Sequence, residues 1–221
     1  MRRNRRVCLT GVDLKWMALA TMVIDHIGIL LSRQGLNSMV FRLVGRLAFP
    51  LFCFLLVEGF FHTRDEIAYG KRLLLFALLS ELPFNLFLGG TLFFPEAQNV
   101  FFTLFLGLCM LGLSRRAGTK ERELIILLLF SAAAWLLRCD YDAGGMFLIA
   151  AFYFYRRGGS TILLPAAVAA ILSLPFYGAA ALSVLPICLY GGERGRQPGK
   201  YWFYLFYPLH LLVLYGLGCL W

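Results

Sequence analysis

The 221-residue chain is 60% hydrophobic and only 15% charged, with a mean hydropathy of +0.75, where soluble domains run about 45–50% apolar and about 25% charged. This excludes an ordinary soluble globule, and apolar segments from Leu14 to Trp221 leave no room for a second sizeable domain. A net charge of +9 suggests nucleic acid in a soluble protein, but here the cations sit in short loops between apolar runs. That is the pattern of membrane topology, and nucleic acid is not an expected partner.

The expected fold is therefore all-α, one polytopic transmembrane bundle spanning residues 1–221. The start, Met-Arg-Arg-Asn-Arg-Arg, imitates a secretory signal. The apolar run after it (14–32) is too long for one, holds Asp25 and His26, and shows no A-x-A-like cleavage site. It reads as an uncleaved first helix. A crossing needs about 20 residues, within a range of about 17–25. Segments 14–32, 41–61 and 71–89 qualify; 99–114 and 122–138 are slightly short or marginal. Three shorter runs follow, 143–155, 161–174 and 179–191, separated by Arg156-Arg157-Gly-Gly-Ser and Leu174-Pro-Phe-Tyr-Gly. Tilted, re-entrant and merged crossings stay open for these. The last segment, 201–221, is long and rich in aromatics.

Nine spans sort the cations best. One side receives Arg2, Arg3, Arg5 and Arg6; Arg64, Lys71 and Arg72; Arg115, Arg116, Lys120 and Arg122; Arg156 and Arg157; and Arg194, Arg196 and Lys200. The other side receives only Arg33 and Arg138. Cytoplasmic loops carry the excess of Lys and Arg, so a multi-pass protein of the bacterial inner membrane is expected, with its N-terminus cytoplasmic and its C-terminus outside. Merging 161–191 into one helix would put the 194–200 cluster on the wrong side. The six cysteines form no C-x-x-C or other metal spacing; five lie in or at the edges of apolar runs and read as small hydrophobes, and no metal is expected.

An ionisable group at bilayer depth costs about 2.5–3.5 kcal/mol on insertion scales, so such groups usually pair, line a cavity or act on a substrate. Asp25 and His26 lie past the middle of the first span and point about 100° apart on a helix. Arg42 and Arg46, Glu58 and His62, and Glu81 and Asn85 each share a face at i, i+4. Pro208 and His210 fall near mid-depth in the last span. Structural pairing, such as Arg46 with Glu81, is the plain alternative for these charges. Phe49, Phe52, Phe54, Phe60 and Phe61 read as packing, and Tyr201, Trp202 and Tyr204 as an interfacial belt. Lys15 is near enough to the inner end to snorkel.

Three stretches resemble the TraX family, whose namesake is the F-pilin acetylation protein. They are Leu9-Thr-Gly-Val-Asp-Leu-Lys15 through Ile24-Asp-His-Ile-Gly28, Gly45-Arg-Leu-Ala-Phe-Pro-Leu-Phe-Cys-Phe-Leu-Leu-Val-Glu-Gly-Phe60 through Arg64, and Lys200-Tyr-Trp-Phe-Tyr-Leu-Phe-Tyr-Pro-Leu-His-Leu-Leu212. Ser80-Glu-Leu-Pro83 and Gln98-Asn-Val-Phe-Phe-Thr103 also fit. The resemblance implies a membrane acyltransferase using acetyl-CoA as donor, with the pilin N-terminal amine as acceptor in the namesake. It marks His26 as the catalytic base, with Asp25 beside it. It also marks Arg42, Arg46, Glu58, Glu81, Asn85 and His210 as pocket residues; more distantly, Asp13-Leu-Lys15 followed by His26 resembles the opening helix of membrane acyltransferases that acetylate sugars, where an acidic-basic pair near the inner surface precedes a deeper histidine.

The residues suit that chemistry. Acyl transfer needs a base for the amine or hydroxyl and donors for the oxyanion; His26 fits the first role, and Arg46 or Arg42 the second. Loops 64–72 and 194–200 offer cations for the donor's phosphates. The acceptor is expected from the other side, along Arg42 and Arg46. The rival is a small proton-coupled transporter or flippase with Asp25 and Glu81 as carriers, but the paired inverted repeats common in such proteins are not visible. An intramembrane protease is disfavoured by the absence of H-E-x-x-H.

Overall fold

The computed structural model describes residues 8–196, 199 and 201–220. Arg2, Arg3, Arg5, Arg6 and Lys200, assigned above to the inner side, lie outside the described residues, as do the rest of 1–7, 197–198 and Trp221. Helices dominate: α1 (Gly11–Arg33), α2 (Met39–Gly45), α3 (Ala48–His62), α4 (Glu66–Gly89), α5 (Val100–Arg116), α6 (Lys120–Leu136), α7 (Asp142–Arg156), α8 (Leu163–Leu172), α9 (Val184–Cys188) and α10 (Trp202–Cys219). Among the described residues the only β pairing is two isolated bridges, Leu9 with Tyr190 and Gln98 with Cys139.

Local chemistry sets the helix starts. Thr10 and Asp13 form a reciprocal capping box at α1, Asp65 accepts from the Ala68 amide at α4, and Asn99 and Thr119 cap α5 and α6. Among the described residues four helical stretches are long and apolar enough to cross a membrane: Gly11–Arg33, Met39–His62 (α2 and α3 together), Glu66–Gly89 and Trp202–Cys219. On α4, Leu75, Leu78, Leu79 and Leu82 are all exposed at i, i+3, i+4 and i+7. In a soluble protein that stripe faces a core; here it faces outward, as lipid requires.

The segments 161–174 and 179–191 do not form two full-length helices. Ten residues of α8 rise only about 15 Å, half the hydrocarbon thickness. Pro175 and Gly178 then break the chain into two 3-10 turns, Leu174–Phe176 and Ala179–Ser183, before the five-residue α9. The hairpin folds on itself: the Ala180 amide donates to Ser173 Oγ at 3.1 Å. Because it returns to its own side, Arg194 stays with the other cations whether or not the tip crosses.

Contacts sort the helix ends onto two faces. On the basic face Glu66 pairs with Arg115 and Arg116, Glu123 with Arg157, and Glu58 with Arg156. There also the Gly11 and Val12 amides donate to the carbonyls of Glu193 and Arg194 at 2.8 and 3.1 Å. On the opposite face Arg33 caps the end of α4, donating to the Phe87 and Leu88 carbonyls at 2.7 and 2.8 Å, and the Gln98 amide meets the Arg138 carbonyl. α10 runs parallel to α1, since Trp16 packs on Phe203 at one end and Gly218 lies against Leu30 at the other. α3 is the central element, with Leu51, Cys53, Val57 and Phe60 fully buried. Gly107 on α5 admits Leu56 and Ile149, and a Cβ there would collide with Ile149.

Candidate active site

Asp25 is buried in α1 and held by two arginines from α2 and the α2–α3 joint. Arg42 Nη1 donates to Oδ2 at 2.8 Å, and Arg46 Nη2 reaches both oxygens at 2.8 Å. The i, i+4 spacing of the arginines puts both guanidiniums over one carboxylate. Gly45 between them makes the approach possible, because a Cβ at that position would overlap the Asp25 side chain. The ring of Phe176, from the tip of the α8–α9 hairpin, lies 5.6 Å from the Arg42 guanidinium and 4.8 Å from that of Arg46, a cation–π cover on the pair. Arg46 Nε is buried and has no hydrogen-bond partner among the described residues.

His26, one residue on, turns away to α10. Its Nδ1 lies 2.8 Å from Nε2 of His210, and the rings stack with centroids 5.0 Å apart. His210 Nδ1 lies 3.0 Å from the carbonyl oxygen of Phe206. A carbonyl only accepts, so His210 carries its proton on Nδ1 and offers Nε2 as an acceptor. His26 Nδ1 must then be the donor, which leaves Nε2 of neutral His26 unprotonated. With both rings neutral, the network assigns one tautomer to each. Phe87, Phe206 and Tyr207 surround the two rings at centroid distances of 5.3–5.5 Å, and both Arg42 and Arg46 are within electrostatic reach of His26.

A cavity of about 490 Å³ opens on the basic face between α1, α3, α4, α5 and α10. Lys15, Arg64, Arg72 and Arg194 contribute its cations and Glu58 its only carboxylate among the described residues; Tyr69, Phe101, Phe203, Tyr204 and Tyr207 give aromatic wall. Its deepest lining residues on α1 and α10 are Met22 and Tyr207. Met22 precedes His26 by one turn and Tyr207 precedes His210 by three residues. The histidine pair therefore sits directly beyond the end of the cavity without forming its wall.

The other residues singled out in the sequence fall into separate places. Asp13 accepts from the Thr10 amide and hydroxyl at 2.8 and 2.7 Å, as part of the α1 cap. Lys15 lies 5.0 Å from the Phe203 ring centroid. Glu58 joins Arg156 of α7, and His62 donates Nδ1–H to the Glu58 carbonyl at 2.8 Å. Glu81 accepts from Asn99 Nδ2 at 2.7 Å, so Arg46 pairs with Asp25 and not with Glu81. Asn85 donates to the Leu92 carbonyl at 3.2 Å. Tyr204, read as interfacial belt, instead stacks on Phe76 and Phe101 and lines the cavity. Phe176, Met22 and Tyr207 were not singled out, and Arg156 was counted only as a loop charge. Only Phe176 carried a local signal, its place in a Pro–Gly turn.

These features define an all-helical protein with helices long and apolar enough to cross a membrane, a buried polar centre and a cavity open to its basic face. The chain belongs to the TraX family: the family model, described as TraX protein, matches residues 10–218. A probable fimbrial assembly protein FimC, serogroup H1, of Dichelobacter nodosus is 33% identical over 238 aligned residues, covering 96% of each chain. No solved structure matches.

Proposed function

We propose that this protein is an inner-membrane acyltransferase that moves an acetyl group from cytoplasmic acetyl-CoA to an amine or hydroxyl acceptor, with His26 as general base. The observation that carries the reading is the His26–His210 pair. It fixes a lone pair on His26 Nε2 in a buried aromatic setting at the end of a cation-lined cavity. As the acceptor nitrogen or oxygen bonds to the thioester carbonyl carbon, His26 Nε2 takes its proton. Arg46 Nε–H, which has no hydrogen-bond partner among the described residues, donates to the oxyanion in this reading. When the C–S bond breaks, His26 returns its proton to the departing thiolate. His210 stabilises the transient imidazolium through Nε2, much as a positioned third group does in a triad.

The family and the fimbrial relative make a pilin-type subunit the favoured acceptor, through its N-terminal amine. Lys15, Arg64, Arg72 and Arg194 suit the donor's phosphates, and the Asp25–Arg42–Arg46 cluster marks the acceptor's side. The test is acetyl-CoA turnover by detergent-purified protein. Loss of a general base costs about 10²–10⁴-fold, so His26→Ala should abolish CoA release while remaining folded. Full activity in that variant sinks the reading.

A further inference from the structure

A second cavity, of about 470 Å³, opens on the opposite face, where the α4–α5 and α6–α7 loops meet. The loops are tied there by the Gln98–Cys139 bridge and by the Gln98 amide, which donates to the Arg138 carbonyl at 2.8 Å. Among the described residues its wall carries three carboxylates, Glu96, Asp140 and Asp142, and one cation, Arg138. Arg138 donates to the Pro95 carbonyl at 3.4 Å and pairs with none of the three acids. The charge of this cavity is thus opposite in sign to that of the cavity on the basic face.

Asp140 adds an observation independent of the charge count. It is open to the cavity, yet protein encloses it closely enough that burial lifts its carboxyl to about 6. Among the described residues it has no hydrogen-bond or ion-pair partner to offset that burial. Arg46 and Arg42 are within electrostatic reach, but both guanidiniums are bonded to Asp25. A carboxylate held this way is stabilised in its charged form by a cation entering the cavity.

The wall also says which kind of cation. Among the described residues no three His, Cys, Asp or Glu side chains converge as metal ligands do, so the charges are spread for something larger than an ion. Trp135 stands in the same wall, and its ring is the one that best attracts an organic ammonium. A peptide amine carries that charge at neutral pH, whereas a hydroxyl gains nothing from an excess of carboxylates. The cavity also adjoins the site. Asp140 is within electrostatic reach of Tyr207, which lines the deep end of the basic-face cavity and packs on His210.

We propose that this cavity is the docking site of the acyl acceptor and reads a primary amine as its ammonium, with Asp140 and Glu96 as the recognising carboxylates. The acceptor role rests on the acyltransferase reading, and it narrows that acceptor from an amine or hydroxyl to an amine.

The test is equilibrium binding, by fluorescence anisotropy, to the full-length protein in detergent. The probe is a Gly-Ala hexapeptide with a C-terminal fluorophore, made with a free N-terminus, an acetylated one, or a glycolyl group that puts a hydroxyl in place of the amine. The free amine should bind at least about tenfold more tightly than the other two, as a hydrogen bond to a charged group allows. Asp140→Asn should remove that advantage while keeping wild-type affinity for CoA, which reports that the protein is folded. Equal affinity of wild type for the three probes, or an unchanged free-amine affinity in Asp140→Asn, overturns the site and leaves the acyltransferase reading intact wherever CoA still binds. A preference for the free amine in a wild type that binds no CoA overturns the acceptor role together with the acyltransferase reading. An acetylated peptide with one internal lysine separates the sources: tight binding extends the site to side-chain amines, weak binding confines it to α-amines, and both uphold it. Should Asp140→Asn not fold, Glu96→Gln on its exposed loop takes its place, with an expected loss of about threefold; no loss overturns the assignment.

Discussion

Nδ1 of His26 and Nε2 of His210 lie 2.8 Å apart across 184 residues of chain, and the Phe206 carbonyl fixes the direction of the proton between them. In the proposed reaction His210 is therefore a positioning residue, which acts by setting the tautomer of His26. His210→Phe keeps ring volume and removes the acceptor. Turnover should fall about 10- to 100-fold with little change in KM, and His210→Gln, which restores an acceptor, should recover part of it. Because His26 works only when neutral, kcat/KM should also decline toward acid pH, and that limb should be missing from the residual rate of His26→Ala. Wild-type kinetics in His210→Phe would refute the pairing as a catalytic device.

Asp25 and its arginines invite a different expectation. One carboxylate is shared by two guanidiniums in a partly buried cluster, and removing the partner of a buried charge costs about 3–5 kcal/mol. Asp25→Asn should lose thermal stability in detergent by an amount of that order, before any effect on chemistry is counted. Replacing both arginines by methionine in the same background removes the unpaired cations and should restore much of the melting temperature. Gly45→Ala, whose methyl group would overlap Asp25, should destabilise by about 1–3 kcal/mol. If Asp25→Asn melts like wild type, the cluster is not what joins α1 to α2.

The helices most legible in the sequence were those in which one local signal suffices. α1 and α4 are long apolar runs with side-chain caps, and the sorting of basic loops follows from counting. The α8–α9 hairpin was not legible, because an apolar run broken by Pro175 and Gly178 is compatible with one, two or no crossings. At the site, i, i+4 spacing gave the Arg42–Arg46 strip but not its partner. That partner is set by the close contact at Gly45, which is tertiary. The Asp13–Lys15 pair shows the converse: Thr10-x-x-Asp13 is a local capping signature, and the structure places Asp13 in the cap. Glu58 looked like one member of an i, i+4 pair, while its strong partner, Arg156, was counted only as a loop charge.

The orientation proposed for the bundle predicts a labelling pattern. Leu92 is exposed on the Arg33 face, and Lys120 is exposed at the start of α6 on the basic face. In a background with the native cysteines replaced, Leu92→Cys should react with a membrane-impermeant maleimide in intact cells. Lys120→Cys should react only after permeabilisation. The reversed pattern would place the cation-lined cavity outside the cytoplasm and remove acetyl-CoA as donor.

Met22 lines the cavity one helical turn before His26, so in the proposed reaction the thioester passes it to reach the base. Met is the side chain best suited to such a position, with three rotatable bonds that let it withdraw at small cost. Met22→Trp should fill the passage and hold the acyl group short of His26. A misplacement of about 1 Å can already cost about 100-fold, so turnover should fall at least that far. Adenosine 3′,5′-bisphosphate, which needs only the cations at the mouth, should still bind as in wild type. Met22→Ala should keep the passage open and retain most of the transfer rate, with a modest loss of stability from the lost packing. If Met22→Trp turns over normally, the acyl group reaches His26 by another route, and the cavity on the basic face is not its channel.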